Sequence, residues 1–79
     1  TPGIYILQAG SFSSVQDANR RKAEMGLIGV RAEIKRGSAN NRTVYRVYTQ
    51  PINNTAEVNR VSQQLNEAGI EVLRKRVSD

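Results

Sequence analysis

The sequence predicts an α+β domain of order βαββαβ, a four-stranded antiparallel sheet with two helices on one face. Three observations carry this. The same local pattern occurs twice, 40 positions apart: Tyr5, Asn19, Arg20 and Gly29 recur as Tyr45, Asn59, Arg60 and Gly69. Similar residues fall in register between the copies: Leu7 with Val47, Phe12 with Ile52, Met25 with Leu65, Val30 with Ile70. Within each copy, strand-like alternation is followed by helical spacing, a glycine and a second alternating run. Right-handed crossovers then place strands one and three at the centre of the sheet and two and four at its edges. This split-βαβ arrangement, ferredoxin-like or RNP-like, leaves one face of the sheet bare.

Ile4 to Gly10 reads as the first strand, with Tyr5, Leu7 and Ala9 on one face and Ile4, Ile6 and Gln8 on the other. Gly10 to Ser14 breaks the pattern, and Ser14, or Ser13 with Gln16, caps a helix. That helix runs to about Met25 with Val15, Ala18 and Met25 inward, and Gly26 and Gly29 end it. Val30 to Lys35 alternates as a half-buried strand: Val30, Ala32 and Ile34 against Arg31, Glu33 and Lys35. Arg36 to Arg42 has turn chemistry and predicts a loose hairpin. Thr43 to Thr49 is the third strand. The repeat turns Tyr45, Val47 and Thr49 toward the helices and Val44, Arg46 and Tyr48 away from them. Pro51 stops this strand, and Asn54 with Glu57 caps a helix that runs to about Ala68, with Val58, Val61, Leu65 and Ala68 inward. Gly69 ends that helix, and Ile70 to Arg76 is the last strand.

Seventy-nine residues, 38% of them hydrophobic, make one domain (residues 1–79) with a small core and little room for an internal catalytic cavity. Twelve Lys and Arg against 7 Asp and Glu give a net charge of +5, which favours an anionic partner without identifying one. With neither Cys nor His, a cysteine nucleophile, a histidine base and the usual zinc sites are excluded. No spaced pair of carboxylates marks a hydrolase, and no cofactor motif is present, so the reading is not an enzyme and has no cofactor. No run approaches the roughly 20 apolar residues of a membrane span. The chain opens on Thr-Pro-Gly and reads as a piece of a longer protein, so a membrane link is expected only through an anchor outside it.

Gln8, Arg46 and Tyr48 stand out because alternation sends all three from central strands onto the bare face, beside Ile4, Ile6 and Val44. An apolar platform carrying an amide, a guanidinium and a phenol suits a flat ligand with many hydroxyl, amide and carboxylate groups. Arg46 can hold a carboxylate or phosphate through two parallel hydrogen bonds, and a cross-strand pair with Glu33 is expected to steady it. Gly10-Ser11-Phe12 brings a hydroxyl to the strand end; Phe12 reads as core beneath the turn, and Tyr5 and Tyr45 as core with hydroxyls at the rim. Arg74-Lys75-Arg76 forms a local basic cluster.

With these residues in view, the chain resembles the SPOR domain family. The matching stretches are Tyr-Ile-Leu-Gln-Ala-Gly-Ser-Phe (5–12), Ala18, and Tyr-Arg-Val-Tyr-Thr-Gln-Pro-Ile (45–52). Gln50 departs from the family's usual Gly, and Ile52 from its usual Phe. The resemblance implies a peptidoglycan-binding module for glycan strands lacking stem peptides, at the division septum in the bacterial periplasm. It implies that Gln8, Ser11 and Arg46 contact glycan, and that Val44 fills a slot where some members carry an aromatic ring. Arg74 falls near a last-strand contact; the repeat, however, turns Ile70 and Val72 inward and Leu73 outward unless the strand bulges. Ile6, Val44 and Tyr48 would pack on the apolar faces of the sugars. The implied parent is a membrane-anchored division protein of the FtsN type, with division proteins as further partners, or an envelope enzyme carrying the same module.

Beside a plain spacer or protein-interaction module, two other uses of the architecture stay open on sequence alone. One is single-stranded RNA binding in the manner of an RRM; it lacks the RNP1 consensus, and Tyr48 is the only outward ring on the central strands, so no nucleic-acid partner is expected. The other is a regulatory small-molecule domain, which would show itself as a ligand-dependent dimer.

Overall fold

The computed structural model of the chain describes residues 3–78. The elements follow the predicted order: β1 (Ile4–Phe12), α1 (Val15–Leu27), β2 (Ala32–Ala39), β3 (Arg42–Thr49), α2 (Thr55–Glu67) and β4 (Leu73–Ser78). The strands form one antiparallel sheet in the order β2-β3-β1-β4, as the crossover rule required.

The core lies between the sheet and the helices. Leu7, Ala9 and Val47 from the central strands meet Ala18 and Met25 of α1 and Val58, Val61 and Leu65 of α2, all buried. Tyr5, Phe12 and Tyr45 are half-buried against this cluster, as predicted. Two expected core residues are not in it. Val15 and Ala68 are exposed, one opening the first turn of α1 and the other capping α2. At both positions the apolar stripe runs past the end of the buried interface.

Local chemistry sets the helix limits. The Ser14 hydroxyl accepts from the Gln16 amide at 3.1 Å, and the Asn54 side-chain oxygen accepts from the Glu57 amide at 3.1 Å. Both helices close on a left-handed glycine, Gly29 at φ 81° and Gly69 at φ 82°. The next residues, Val30 and Ile70, return amides to Met25 and Leu65 at 2.9 Å and drop into the core. On the surface of α2, hydrogen bonds from Arg60 hold the Glu57 carboxyl below its ordinary range, but both side chains are well exposed and the pair adds little stability.

The β2–β3 hairpin differs from the sequence reading. Pairing runs unbroken from Ala32 opposite Thr49 to Ala39 opposite Arg42. Asn40 and Asn41, at φ 52° and 64°, make a two-residue turn of the type that matches strand twist. Residues 36–39 (Arg-Gly-Ser-Ala) looked like loop because this part of the strand is not pressed into an apolar core. The last strand is also shifted: Ile70 and Val72 point inward as expected, but regular pairing begins at Leu73.

The pairing of β1 with β3 is irregular in two places. Thr49 ends β3, the chain steps out through Gln50 and Pro51, and Ile52 then exchanges two backbone hydrogen bonds of 2.8 Å with Tyr5. In the gap, the Leu7 amide donates to the buried Thr49 hydroxyl at 3.0 Å, so no polar group is stranded. The second irregularity lies in β1 and shapes the bare face.

Candidate functional site

Along β1, Gln8 lies opposite Tyr48, but the next pairs are Gly10 with Val47, Ser11 with Arg46 and Phe12 with Tyr45. One extra residue has been inserted at Ala9-Gly10, a β-bulge. The insertion reverses the alternation. Up to Ala9, odd-numbered side chains point to the helices; beyond it, Phe12 does. Ser11 would otherwise lie under α1 and is instead turned to the bare face. Gly10 makes this possible: its φ is 151°, and a Cβ there would lie 2.7 Å from the Phe12 ring.

Helix α1 holds the bulge. Arg21 Nη1 donates to the Ala9 carbonyl at 2.7 Å, its Nε reaches Glu24 at 3.2 Å, and its guanidinium sits 5.5 Å from the Phe12 ring centre. Sequence reasoning missed Arg21. The repeat carried a signal, because the matching position in α2 is Val61, a buried core residue. An arginine in a core slot needs a buried acceptor, and the bulge supplies one.

The bare face collects the predicted side chains apart from Arg74. Ile4, Ile6, Gln8, Val44, Arg46 and Tyr48 are half-buried on it, and Ser11 is exposed beside them. The register sets an amide next to a phenol (Gln8, Tyr48) and a hydroxyl next to a guanidinium (Ser11, Arg46). The expected Arg46–Glu33 pair does not form. Glu33 is opposite Tyr48 and accepts from the Gln50 side-chain Nε2 at 3.1 Å, while Lys35 is opposite Arg46. No carboxylate pairs with Arg46 among the described residues.

Arg46 reaches diagonally over Gly37 of β2. A Cβ at Gly37 would run into Arg46 Nη1 and lie 3.5 Å from its Cζ. Gly37 thus keeps open the place where the guanidinium rests. The Gly37→Ala protein should fold normally, since the obstructed group is the free end of a long side chain. Its Arg46 is displaced, and ligand binding measured by titration should weaken about threefold to tenfold.

Arg74 needs correction. It lies opposite buried Leu7, hence on the helix side, where Nη2 donates to Asn59 of α2 at 2.5 Å and the guanidinium is 5.9 Å from the Tyr5 ring centre. No bulge intervenes between Val72 and Arg74 to turn it over, so the register set by Ile70 and Val72 holds. Leu73 (63% exposed) and Lys75 take the bare-face positions, opposite Gln8 and Ile6. Lys75 Nζ stands 5.7 Å from the Tyr48 ring centre, and Lys35 Nζ is at 5.7 Å from the other edge strand. Beside the bulge, an open cleft of about 560 Å³ continues the face between Gln8, Ser11, Arg21, Glu71 and Leu73.

This surface is shallow, amphipathic and positively charged. It can grip flat polar molecules through side-chain donors and acceptors; among the described residues, no cluster of acidic, Cys or His side chains could hold a metal. No helix of the described residues is long and apolar enough to cross a membrane.

An RNP-like sheet with an uncovered polar face defines a binding module. The SPOR domain family model matches residues 1–74, and the chain belongs to that family of peptidoglycan-binding, cell-envelope modules. Among solved structures, the RlpA SPOR domain from Pseudomonas aeruginosa is similar, with a TM-score of 0.84 and 26% identity over 95% of this chain and 100% of that one. The peptidoglycan binding domain of the B. subtilis cell wall lytic enzyme CwlC has a TM-score of 0.78 at 15% identity, over 99% of this chain and 94% of that one. The C-terminal RNP domain of the divisome protein FtsN has a TM-score of 0.63 at 20% identity, over 99% and 97%. The last two bear on fold alone. No curated protein matches the chain.

Proposed function

We propose that this domain is a non-catalytic module that binds peptidoglycan glycan strands lacking stem peptides, at the division septum, through the bare face of its sheet. The observation that carries this is the bulge at Ala9-Gly10, which brings Ser11 onto the same face as Gln8, Arg46 and Tyr48. A denuded strand is a chain of acetylated amino sugars with free lactyl carboxylates. Arg46 suits a carboxylate, Gln8 and Ser11 suit acetamido and hydroxyl groups, and Ile6, Val44 and Tyr48 offer apolar surface to sugar rings. Family membership supports the ligand class. The CwlC domain, described as peptidoglycan binding, shows that the fold serves this use elsewhere.

Such a shallow site gives modest affinity per sugar unit, and repeated units along a polymer supply avidity. The setting is the periplasm, with the parent chain held in the inner membrane by a segment outside this domain and contacting other division proteins. Co-sedimentation tests the reading. Several-fold more domain should pellet with amidase-treated sacculi than with intact ones. Equal pelleting overturns selection for denuded strands. No pelleting, with retention on single-stranded RNA instead, overturns glycan binding itself.

A further inference from the structure

We propose that Lys35 and Lys75, gathered over Tyr48, make the bare face a reader of free carboxylate groups. Denuded strands are then selected by charge and not only by the room that a missing peptide leaves. This rests on the glycan-binding reading above.

The two lysines come from opposite edges of the sheet, β2 and β4, yet both ammonium groups stand 5.7 Å from the same ring centre. An aromatic ring holds a cation at that distance by its quadrupole. Tyr48 therefore gathers two positive charges over the middle of the face. A third lies alongside, since Lys35 is directly opposite Arg46. Like charges directly opposite across a ladder destabilise it. None of the three is ion-paired: among the described residues, Lys35, Lys75 and Arg46 form no salt bridge with a carboxylate. Glu33, the acidic residue that the register places on this face, is hydrogen-bonded to Gln50. Three cations without an ion-pair partner on a half-apolar platform suit an anion borne by a flat, partly apolar molecule.

Denuding creates that anion. The stem peptide is joined to the lactyl group through an amide, which is neutral. Addition of water across that bond leaves a carboxylate on the sugar and an amine on the released peptide. The negative charge now sits on the lactyl group, next to the sugar ring, while the carboxylate at the far end of the peptide leaves with the released peptide.

The experiment compares denuded glycan strands as the free acid with the same strands after conversion of the carboxylates to primary amides by carbodiimide and ammonia. The amide is uncharged and adds no bulk. The wild-type domain should bind the amidated strands about tenfold more weakly, the size of two or three partly exposed charge pairs. Lys35→Gln/Lys75→Gln, checked for folding by circular dichroism, should bind the free acid more weakly and lose most of the discrimination. Equal wild-type binding to both strands overturns the charge reading and leaves glycan binding standing. Undiminished discrimination by the double variant overturns the assignment to these lysines. Wild-type binding to neither strand overturns the underlying glycan reading. Should the double variant fail to fold, each single variant must lose part of the discrimination, or the assignment falls.

Discussion

Gly10→Ala should lower stability by about 2–4 kcal/mol and remove glycan binding from whatever remains folded. Two costs add. The backbone at φ 151° belongs to a region that L residues avoid, and the new Cβ would press on the Phe12 ring at 2.7 Å. Relief requires either moving Phe12 out of its place on the core or abandoning the bulge. Abandoning the bulge restores simple alternation, which sends Ser11 under the helices, brings Phe12 onto the bare face and takes the Ala9 carbonyl from Arg21. For a domain of this size, the loss corresponds to a fall in Tm of roughly 10–30 °C, readable by thermal or urea denaturation. Gly69→Ala is the control. Its φ is also positive, but a Cβ there meets nothing within 4 Å, so about 1 kcal/mol is expected and binding should be kept. If Gly10→Ala proves no worse than Gly69→Ala, the bulge does not hold the face together.

Arg46→Ala should weaken binding to denuded glycan by roughly tenfold to a hundredfold while the melting temperature barely changes, since a charge-assisted hydrogen bond contributes about 1.5–3 kcal/mol. The two readouts separate because Arg46 lies on the bare face, is unpaired among the described residues and opposes Lys35. Its removal relieves repulsion within the sheet. Arg46→Lys keeps the charge but not the planar fork, so it should fall between wild type and alanine. A folded Arg46→Ala domain that binds like the wild type would remove the guanidinium from the site.

Much of this was legible in the residues. The 40-residue repeat gave element order, strand order and the facing of Tyr45, Val47 and Thr49 correctly. Both helix caps could be read from Ser14 and Asn54, because capping is local chemistry. Alternation failed where the backbone departs from period two. It could place Gln8 but could not foresee that an inserted residue brings Ser11 to the same face; Gly10 was the only mark of it. It also placed Glu33 on the face of Arg46 but not opposite it, since pairing register depends on hairpin length, and the Asn40-Asn41 turn is tighter than the loop expected. Arg74 was carried into the site by resemblance, against the inward register set by Ile70 and Val72. Alternation put Lys35 on the bare face, but its meeting with Lys75 over Tyr48 was invisible to pattern, because the two approach from strands that are far apart in sequence.

The bridge between Tyr5 and Ile52 has a counterpart in the pairing of Tyr45 with Phe12, and the two are exchanged by the 40-residue offset. The sheet therefore carries an approximate two-fold axis, passing between the mutually opposite Gln8 and Tyr48. The chemistry on its surface does not obey that axis. The counterpart of Ser11 is Pro51, that of Arg46 is Ile6, and that of Gln8 is Tyr48. A polymer with unlike ends laid on this surface cannot be turned end for end and find the same partners. A backbone with an internal two-fold thus presents a surface without one, and a polymer bound along it would have one preferred heading.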